Sequence, residues 1–159
     1  MATRIIDAMR LDDLEEVLAI EAQGHPKPWT EKIFKEELER EWARLMVLRS
    51  EGREGSKVVA FCNYWLVHDE VHLLNIATAR EARRQGHGRD LLLHIIEVAK
   101  ERSCRVVTLE VRESNVAAQT LYLSHGFQSV GVRPKYYADN REDAVVMLLE
   151  LAAGESPGD

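Results

Sequence analysis

Apolar and polar positions change period several times along this chain, and each change marks an element. Residues 3–7 alternate like a short strand. Over residues 11–23 the spacing becomes helical, with Leu14, Val17, Leu18 and the pair Glu21-Ala22 recurring on one side. Asp12 and Asp13 suit the first turn of that helix, where the dipole favours anions. Gly24-His25-Pro26-Lys27-Pro28-Trp29 must be a loop, because each proline disfavours helix at the residue before it. Thr30 can N-cap a second helix, with Glu31 in its first turn and Ile33, Phe34 and Leu38 facing inward.

The period then shortens. Segments 45–49, 58–67 and 71–78 are rich in β-branched and aromatic residues and read as three strands, with turns at 51–55 and 68–70. Connections this short imply an antiparallel meander. A glycine-containing loop leads into a long helix over 88–102, whose inner stripe is Leu92, Ile95, Ile96 and Ala99. Segment 106–111 is a buried strand, and 115–124 a short helix ended by Gly126. Segments 127–132 and 144–151 close the fold as two more strands. The order is βααβββαβαββ. This is an α/β chain with a mixed sheet, not a doubly wound one, and it holds one parallel βαβ unit ending at 106–111.

Bulk properties narrow the class. A length of 159 residues fits one domain, taken as 1–153, with a disordered tail at 154–159. Such a chain buries roughly two thirds of its unfolded surface and needs neither disulfide nor metal to fold. Cys62 and Cys104 have no Cys-x-x-Cys spacing and are expected to be free buried thiols. The first residues lack the apolar core of a signal peptide, and no apolar run is long enough for a membrane span, so a cytoplasmic location is expected. A net charge of −6 argues against general nucleic-acid binding. The charge is unevenly spread: residues 1–42 carry six Lys/Arg against eleven Asp/Glu, while residues 80–105 carry seven against four. Solvated helix faces account for such runs most often, but an acidic region facing a basic partner and a basic centre facing an anionic cofactor give the same pattern.

The basic centre contains Arg83-Arg84-Gln85-Gly86-His87-Gly88-Arg89, between the strand at 71–78 and the helix at 88–102. Glycines allow a tight turn and close approach of backbone to a ligand. The helix start supplies unpaired N–H groups and about half a positive charge. Together they make an anion site that suits a diphosphate. Three arginines at a helix start are unfavourable unless an anion offsets them. Gly-x-x-x-x-Gly-Lys-Ser/Thr and Gly-x-Gly-x-x-Gly are both absent.

Arg83-x-x-Gly86-x-Gly88 resembles the (Arg/Gln)-x-x-Gly-x-(Gly/Ala) signature of the GCN5-related N-acetyltransferase (GNAT) family, and the element order is similar along about residues 3–151. The resemblance implies a mixed, mostly antiparallel central sheet flanked by helices. It implies that residues 83–89 hold the pyrophosphate of acetyl-coenzyme A, namely Arg83, Arg84, Gln85, Gly86, His87, Gly88 and Arg89. It also implies that backbone groups of Ile76, Ala77 and Thr78 meet the pantetheine arm, with no metal involved.

Downstream, Leu109-Glu110-Val111-Arg112-Glu113-Ser114-Asn115-Val116-Ala117-Ala118 precedes Leu121-Tyr122. Alternation puts Val107, Leu109 and Val111 on one face of the strand and Val106, Thr108 and Glu110 on the other. Glu110 thus sits near a strand's C-terminal end, where ligand crevices open in sheets with helical crossovers. Tyr122 shares a helix face with Asn115. Amine acetylation needs a proton acceptor for the amine and a donor for the leaving thiolate, and a carboxylate and a phenol can serve. A backbone N–H in the 76–78 strand is the natural donor to the carbonyl oxygen. The residues alone leave plainer readings open: Glu110 as a surface carboxylate paired with Arg112 or Arg105, and Tyr122 as an amphipathic core residue.

This run, with Asn75-Ile76-Ala77, Lys135-Tyr136-Tyr137, His25-Pro26-x-Pro28-Trp29 and Arg141-Glu142-Asp143-Ala144-Val145-x-Met147, is similar to the RimI branch of the family. That branch acetylates the N-terminal alanine of a small-subunit ribosomal protein, number eighteen. By resemblance Glu110 is the general base, Tyr122 the general acid and Asn115 a coenzyme A contact. Pro28, Trp29, Tyr136 and Tyr137 become walls for the N-terminal peptide of a basic ribosomal protein. His87 and Gln119-Thr120 depart from the family pattern, which has smaller or apolar residues there. An α-amine titrates near 8 and a lysine near 10.4, so neutralising them near pH 7.5 costs under about 1 and roughly 4 kcal/mol. That favours an α-amine. The alternatives are a lysine or polyamine acetyltransferase, or a CoA-binding regulatory subunit without turnover.

Overall fold

Three antiparallel strands begin the sheet in a computed structural model that describes residues 3–53 and 55–151. The expected tail at 154–159 lies outside the described residues. The strands are β1 (Thr3–Ala8), β2 (Ala43–Gly52), β3 (Gly55–Val67), β4 (Glu70–Thr78), β5 (Val106–Arg112), β6 (Gln128–Arg133) and β7 (Ala144–Glu150). The helices are α1 (Leu14–Gly24), α2 (Glu31–Glu39), α3 (His87–Glu101) and α4 (Val116–Ser124). Strand order is β1-β2-β3-β4-β5-β7-β6. The described residues fall into two units, one reaching Trp65 and resuming over Asn75–His94, the other formed by Leu66–Leu74 and the chain from Ile95.

In the first unit, Val17 and Ile20 of α1, Phe34 of α2 and Val47, Leu48 and Phe61 of the strands are buried. Phe34 stacks edge-on against both Trp29 and Phe61, at 5.4 and 5.7 Å between ring centroids. Thr30 caps α2 as expected, its hydroxyl accepting the Ile33 N–H at 3.3 Å. Of the expected inward residues Ile33 is exposed, and Glu37 is buried on that helix instead. The carboxylate faces in because Trp65 Nε1, Asn63 Nδ2 and Arg40 all donate to it, at 3.0, 3.3 and 2.5 Å.

Asp13 also departs from expectation. It lies in a 3₁₀ turn (Leu11–Asp13) ahead of α1, nearly fully buried, not on a solvated first turn. Arg49 of β2 grips it with two bonds of 2.6 and 2.8 Å and reaches Asp7 at 3.0 Å. The guanidinium holds the Asp13 carboxyl below its usual range, against the effect of burial. Removing one partner of such a buried pair costs about 3–5 kcal/mol. A bulge between Leu48 and Arg49 interrupts the β2–β3 register. Glu16 of α1 accepts the Val58 N–H there, at 2.9 Å, and the Val59 carbonyl accepts from Ala79 N at 2.8 Å. That bond fixes the segment leaving β4.

In the second unit, the first half of β4 pairs in parallel with β5, Glu70–Leu73 against Val106–Leu109. This is the expected parallel unit. β7 runs antiparallel between β5 and β6, an order that the sequence periods do not specify. Val107, Leu109 and Val111 are buried and Thr108 and Glu110 only partly, which matches the alternation. The α3 stripe of Leu92, Ile95, Ile96 and Ala99 is buried together with Leu91. Gly126 has φ +93°, and a Cβ there would come within 3.2 Å of Leu149, so glycine is required to end α4. Cys62 and Cys104 are buried free thiols. No helix among the described residues is long and apolar enough to cross a membrane.

Candidate active site

The basic turn belongs to the first unit. A 3₁₀ turn (Arg80–Ala82) follows β4, and Arg83 returns the chain to extended backbone. Arg84 has φ +64° and Gly86 φ +83°, so the chain twice enters left-handed space within three residues. For Arg84 this carries a cost of about 1–2 kcal/mol. Gly86 O accepts Asp90 N at 3.0 Å, which starts α3 at His87, one residue earlier than expected. The first amides of α3 therefore have no helical partner. Arg83, Arg84 and Arg89 are exposed around them. A fifteen-residue helix, a backbone twisted to expose its amides, and three solvent-facing cations fit a diphosphate.

His87 stands where the family favours an apolar residue, and it is buried accordingly, at 4% exposure. Burial, and then the nearby Arg4, lower its pKa, while Asp90 opposes them. It serves as a neutral packing group in the turn. Ile76, Ala77 and Thr78 end β4 half-buried, and Thr78 O accepts from Arg83 Nε at 3.4 Å.

The acid/base candidates belong to the second unit. Glu110 follows the last paired residue of the parallel ladder and sits opposite Val146 of β7. Its side chain is 11% exposed. Neither expected surface partner holds it. Arg112 instead forks onto Asp139 at 2.8 and 3.0 Å, and Arg105 pairs with Asp69 and Glu70. The partner of Glu110 is His72, whose Nε2 lies 2.7 Å from Oε2. His72 is in register with Thr108, so the parallel ladder brings its imidazole to the face that Thr108 shares with Glu110. Arg133 of β6 approaches Oε1 at 4.0 Å. The His72 hydrogen bond, then the charges of His72 and Arg133, hold the Glu110 carboxyl below its usual range despite burial. It is ionised at neutral pH.

Tyr122 is buried in α4, with its ring 5.6 Å from Phe127. Asn115 caps α4, accepting Ala118 N at 3.1 Å, which commits its side-chain oxygen. Gln119, the other departure from the family pattern, donates to the carbonyls of Arg112 and Glu113 at 3.0 and 2.9 Å. It ties α4 to the end of β5.

Of the acceptor-wall candidates, Tyr136 and Tyr137 contact each other edge-on at 5.1 Å. Arg112 lies 4.0 Å over the Tyr137 ring, and Arg133 5.7 Å over that of Tyr136. Burial pushes the Tyr137 phenol up to about 12. In the first unit Trp29 is half-buried and Pro28 exposed. The buried Glu21 accepts Trp29 N at 2.9 Å and Asn75 Nδ2 at 3.0 Å, which fixes the loop against β4. His72 and Arg133 were not singled out by sequence. His72 meets Glu110 through the β4–β5 register, which the sequence periods leave open.

Residues 14–127 match the model of the acetyltransferase (GNAT) family. The chain belongs to the GNAT family. A Bacillus subtilis relative, whose name as a ribosomal protein bS18-alanine N-acetyltransferase is provisional, is 40% identical over 144 residues, covering 90% of this chain and 93% of its own. The Escherichia coli (strain K12) ribosomal protein bS18-alanine N-acetyltransferase is 36% identical over 149 residues, covering 92% and 97%. A crystal structure of the ribosomal-protein-S18-alanine N-acetyltransferase from Escherichia coli superposes with a TM-score of 0.83 at 38% identity, over 93% of this chain and 94% of that one. This GNAT protein is an acetyl-CoA-dependent N-acetyltransferase.

Proposed function

We propose that the enzyme acetylates the N-terminal α-amine of ribosomal protein bS18, with Glu110 as general base and Tyr122 as general acid. The acceptor assignment is supported by the names of relatives 36–40% identical over nearly the whole chain. A ribosomal acceptor places the reaction in the cytoplasm. The observation that carries the mechanism is Glu110, a nearly buried carboxylate kept ionised by His72.

Acetyl-CoA supplies the thioester carbonyl. The α-amine forms the new C–N bond from its neutral form, which is abundant near pH 7.5 because such amines titrate near 8. The nitrogen becomes strongly acidic as that bond forms, so a carboxylate of low basicity suffices to take its proton, directly or through water. His72 Nε2–H fixes Oε2, and Arg133 keeps charge near Oε1. Tyr122 gives its proton to the departing sulfur. An ordinary phenol titrates near 10 and a thiol near 8.5, so this transfer is uphill by only about 2 kcal/mol. Backbone groups of Ile76, Ala77 and Thr78 meet the pantetheine arm, and a backbone N–H in that strand donates to the carbonyl oxygen. The amides and arginines from Arg83, Arg84 and Gln85 through Gly86, His87, Gly88 and Arg89 take the diphosphate, and Asn115 is a coenzyme A contact. Pro28 and Trp29 in the first unit, and Tyr136 and Tyr137 in the second, are the proposed contacts of an extended, basic N-terminal peptide, whose encounter the acidic first 42 residues favour.

The test is incubation with acetyl-CoA and peptides beginning Ala-Arg, with the modified nitrogen mapped by mass spectrometry. Acetylation at the α-amine is expected. Modification of internal lysines alone transfers the assignment to a lysine acetyltransferase. Absence of product at any N-terminus, with coenzyme A bound, leaves a non-catalytic subunit.

A further inference from the structure

Arg4 sits in β1, outside every motif noted above, yet its guanidinium lies against the phosphate turn. One arm donates to the Gln85 carbonyl and another pairs with the Asp90 carboxylate at 2.6 Å. A Cβ built on Gly86 would stand 3.7 Å from the same guanidinium, and Arg4 lowers the His87 pKa through its charge. Four residues of the turn and helix start, Gln85, Gly86, His87 and Asp90, thus report one side chain.

We propose that Arg4 is the positioning residue of the cofactor turn, setting affinity for the diphosphate without touching it. The inference rests on the reading of residues 83–89 as a diphosphate site. Two physical effects carry it. A trans peptide points its C=O and its N–H in opposite directions. By holding the Gln85 carbonyl, Arg4 directs the Gly86 N–H to the other side of the turn, which is where a nest of amides takes an anion. The second effect is charge. Asp90 lies in the first turn of α3, where a carboxylate competes with any bound anion for the helix dipole. Pairing with Arg4 offsets that negative charge and removes the repulsion.

The positive φ angles of Arg84 and Gly86 show why a brace is needed. A turn that spends backbone strain on its shape relaxes when nothing holds it. The grip is two-armed, which a planar guanidinium provides and a lysine ammonium does not.

The experiment compares two acetyl donors on the full chain, acetyl-CoA and S-acetylpantetheine, which carries the same thioester and no diphosphate. The readout is the ratio of their KM values, with an Ala-Arg peptide as acceptor. Wild type is expected to favour acetyl-CoA. Arg4→Ala is expected to cut that preference about tenfold, the size of a lost charge-assisted contact. Arg4→Lys is expected to cut it about threefold, and Arg4→Ala with Asp90→Asn to recover part of the loss. A preference that persists unchanged in Arg4→Ala, or KM values for both donors that rise in parallel, overturns the proposal and leaves the diphosphate site standing. Should Arg4→Ala not fold, an unchanged preference in Arg4→Lys overturns it equally. Equal KM values for the two donors in wild type defeat the site itself.

Discussion

The phosphate turn and the Glu110 strand are built from different materials. The turn is backbone: Arg84 and Gly86 adopt φ of +64° and +83° ahead of the first amides of α3, the proposed diphosphate donors, and its cations stand in solvent. The Glu110 site is made of side chains. A carboxylate 11% exposed is held by an imidazole from another strand at 2.7 Å and flanked by an arginine from a third. Binding a dianionic linker needs many weak, directional donors, which a helix start supplies cheaply. Moving one proton needs a single group with a controlled charge state, and control comes from tertiary neighbours. The lesson is that substitutions in the two regions should separate affinity from turnover.

The largest effect is expected from Glu110→Gln, which keeps the shape and removes the proposed base. Steady-state kcat should fall about 10²- to 10⁴-fold, the usual worth of general-base catalysis. Wild-type turnover in that variant would break the comparison at once. Gly86→Ala comes next. A Cβ in left-handed space costs about 1–2 kcal/mol, so the KM for acetyl-CoA should rise about tenfold, with a smaller change in kcat.

His72→Ala sharpens the account of charge control. The imidazole is the main cause of the lowered Glu110 pKa, and burial opposes it. Without His72 the carboxyl titrates at higher pH, so the acid limb of kcat/KM should move upward. Wild type should show no Glu110 limb above about pH 5, since its folded value lies below the ordinary 4.3–4.5. The same sign governs stability. The His72–Glu110 pair contributes above that ordinary value and is lost as pH falls through the folded one. The smallest effect belongs to Tyr137→Phe. Its phenol, pushed up to about 12, stays neutral through the assay range, so the basic limb of the pH profile should not move.

Much of the fold was legible because local rules wrote it. The Thr30 cap, the α3 stripe and the left-handed Gly126 all follow from residues within one or two turns of each other. The turn from β4 into α3 was legible for the same reason, being a contiguous stretch of seven residues. What escaped depends on distant partners. Glu37 rather than Ile33 faces inward because Asn63 and Trp65, in β3, supply donors to its carboxylate. Asp13 is buried because Arg49 lies 36 residues away along the chain. The insertion of β7 between β5 and β6 leaves no periodic trace. Glu110 could be named from its strand and its neighbours in sequence, but its partner could not. Arg112 and Arg105 are nearer in the chain, yet His72, 38 residues upstream, takes the contact.

The division between affinity and turnover is tested most directly by calorimetric titration of Glu110→Gln with coenzyme A. A Kd within about twofold of wild type is expected, beside the collapse in kcat, if the carboxylate serves proton transfer and the turn serves binding, as proposed. A Kd weakened tenfold or more would contradict it, by making Glu110 part of what holds the cofactor.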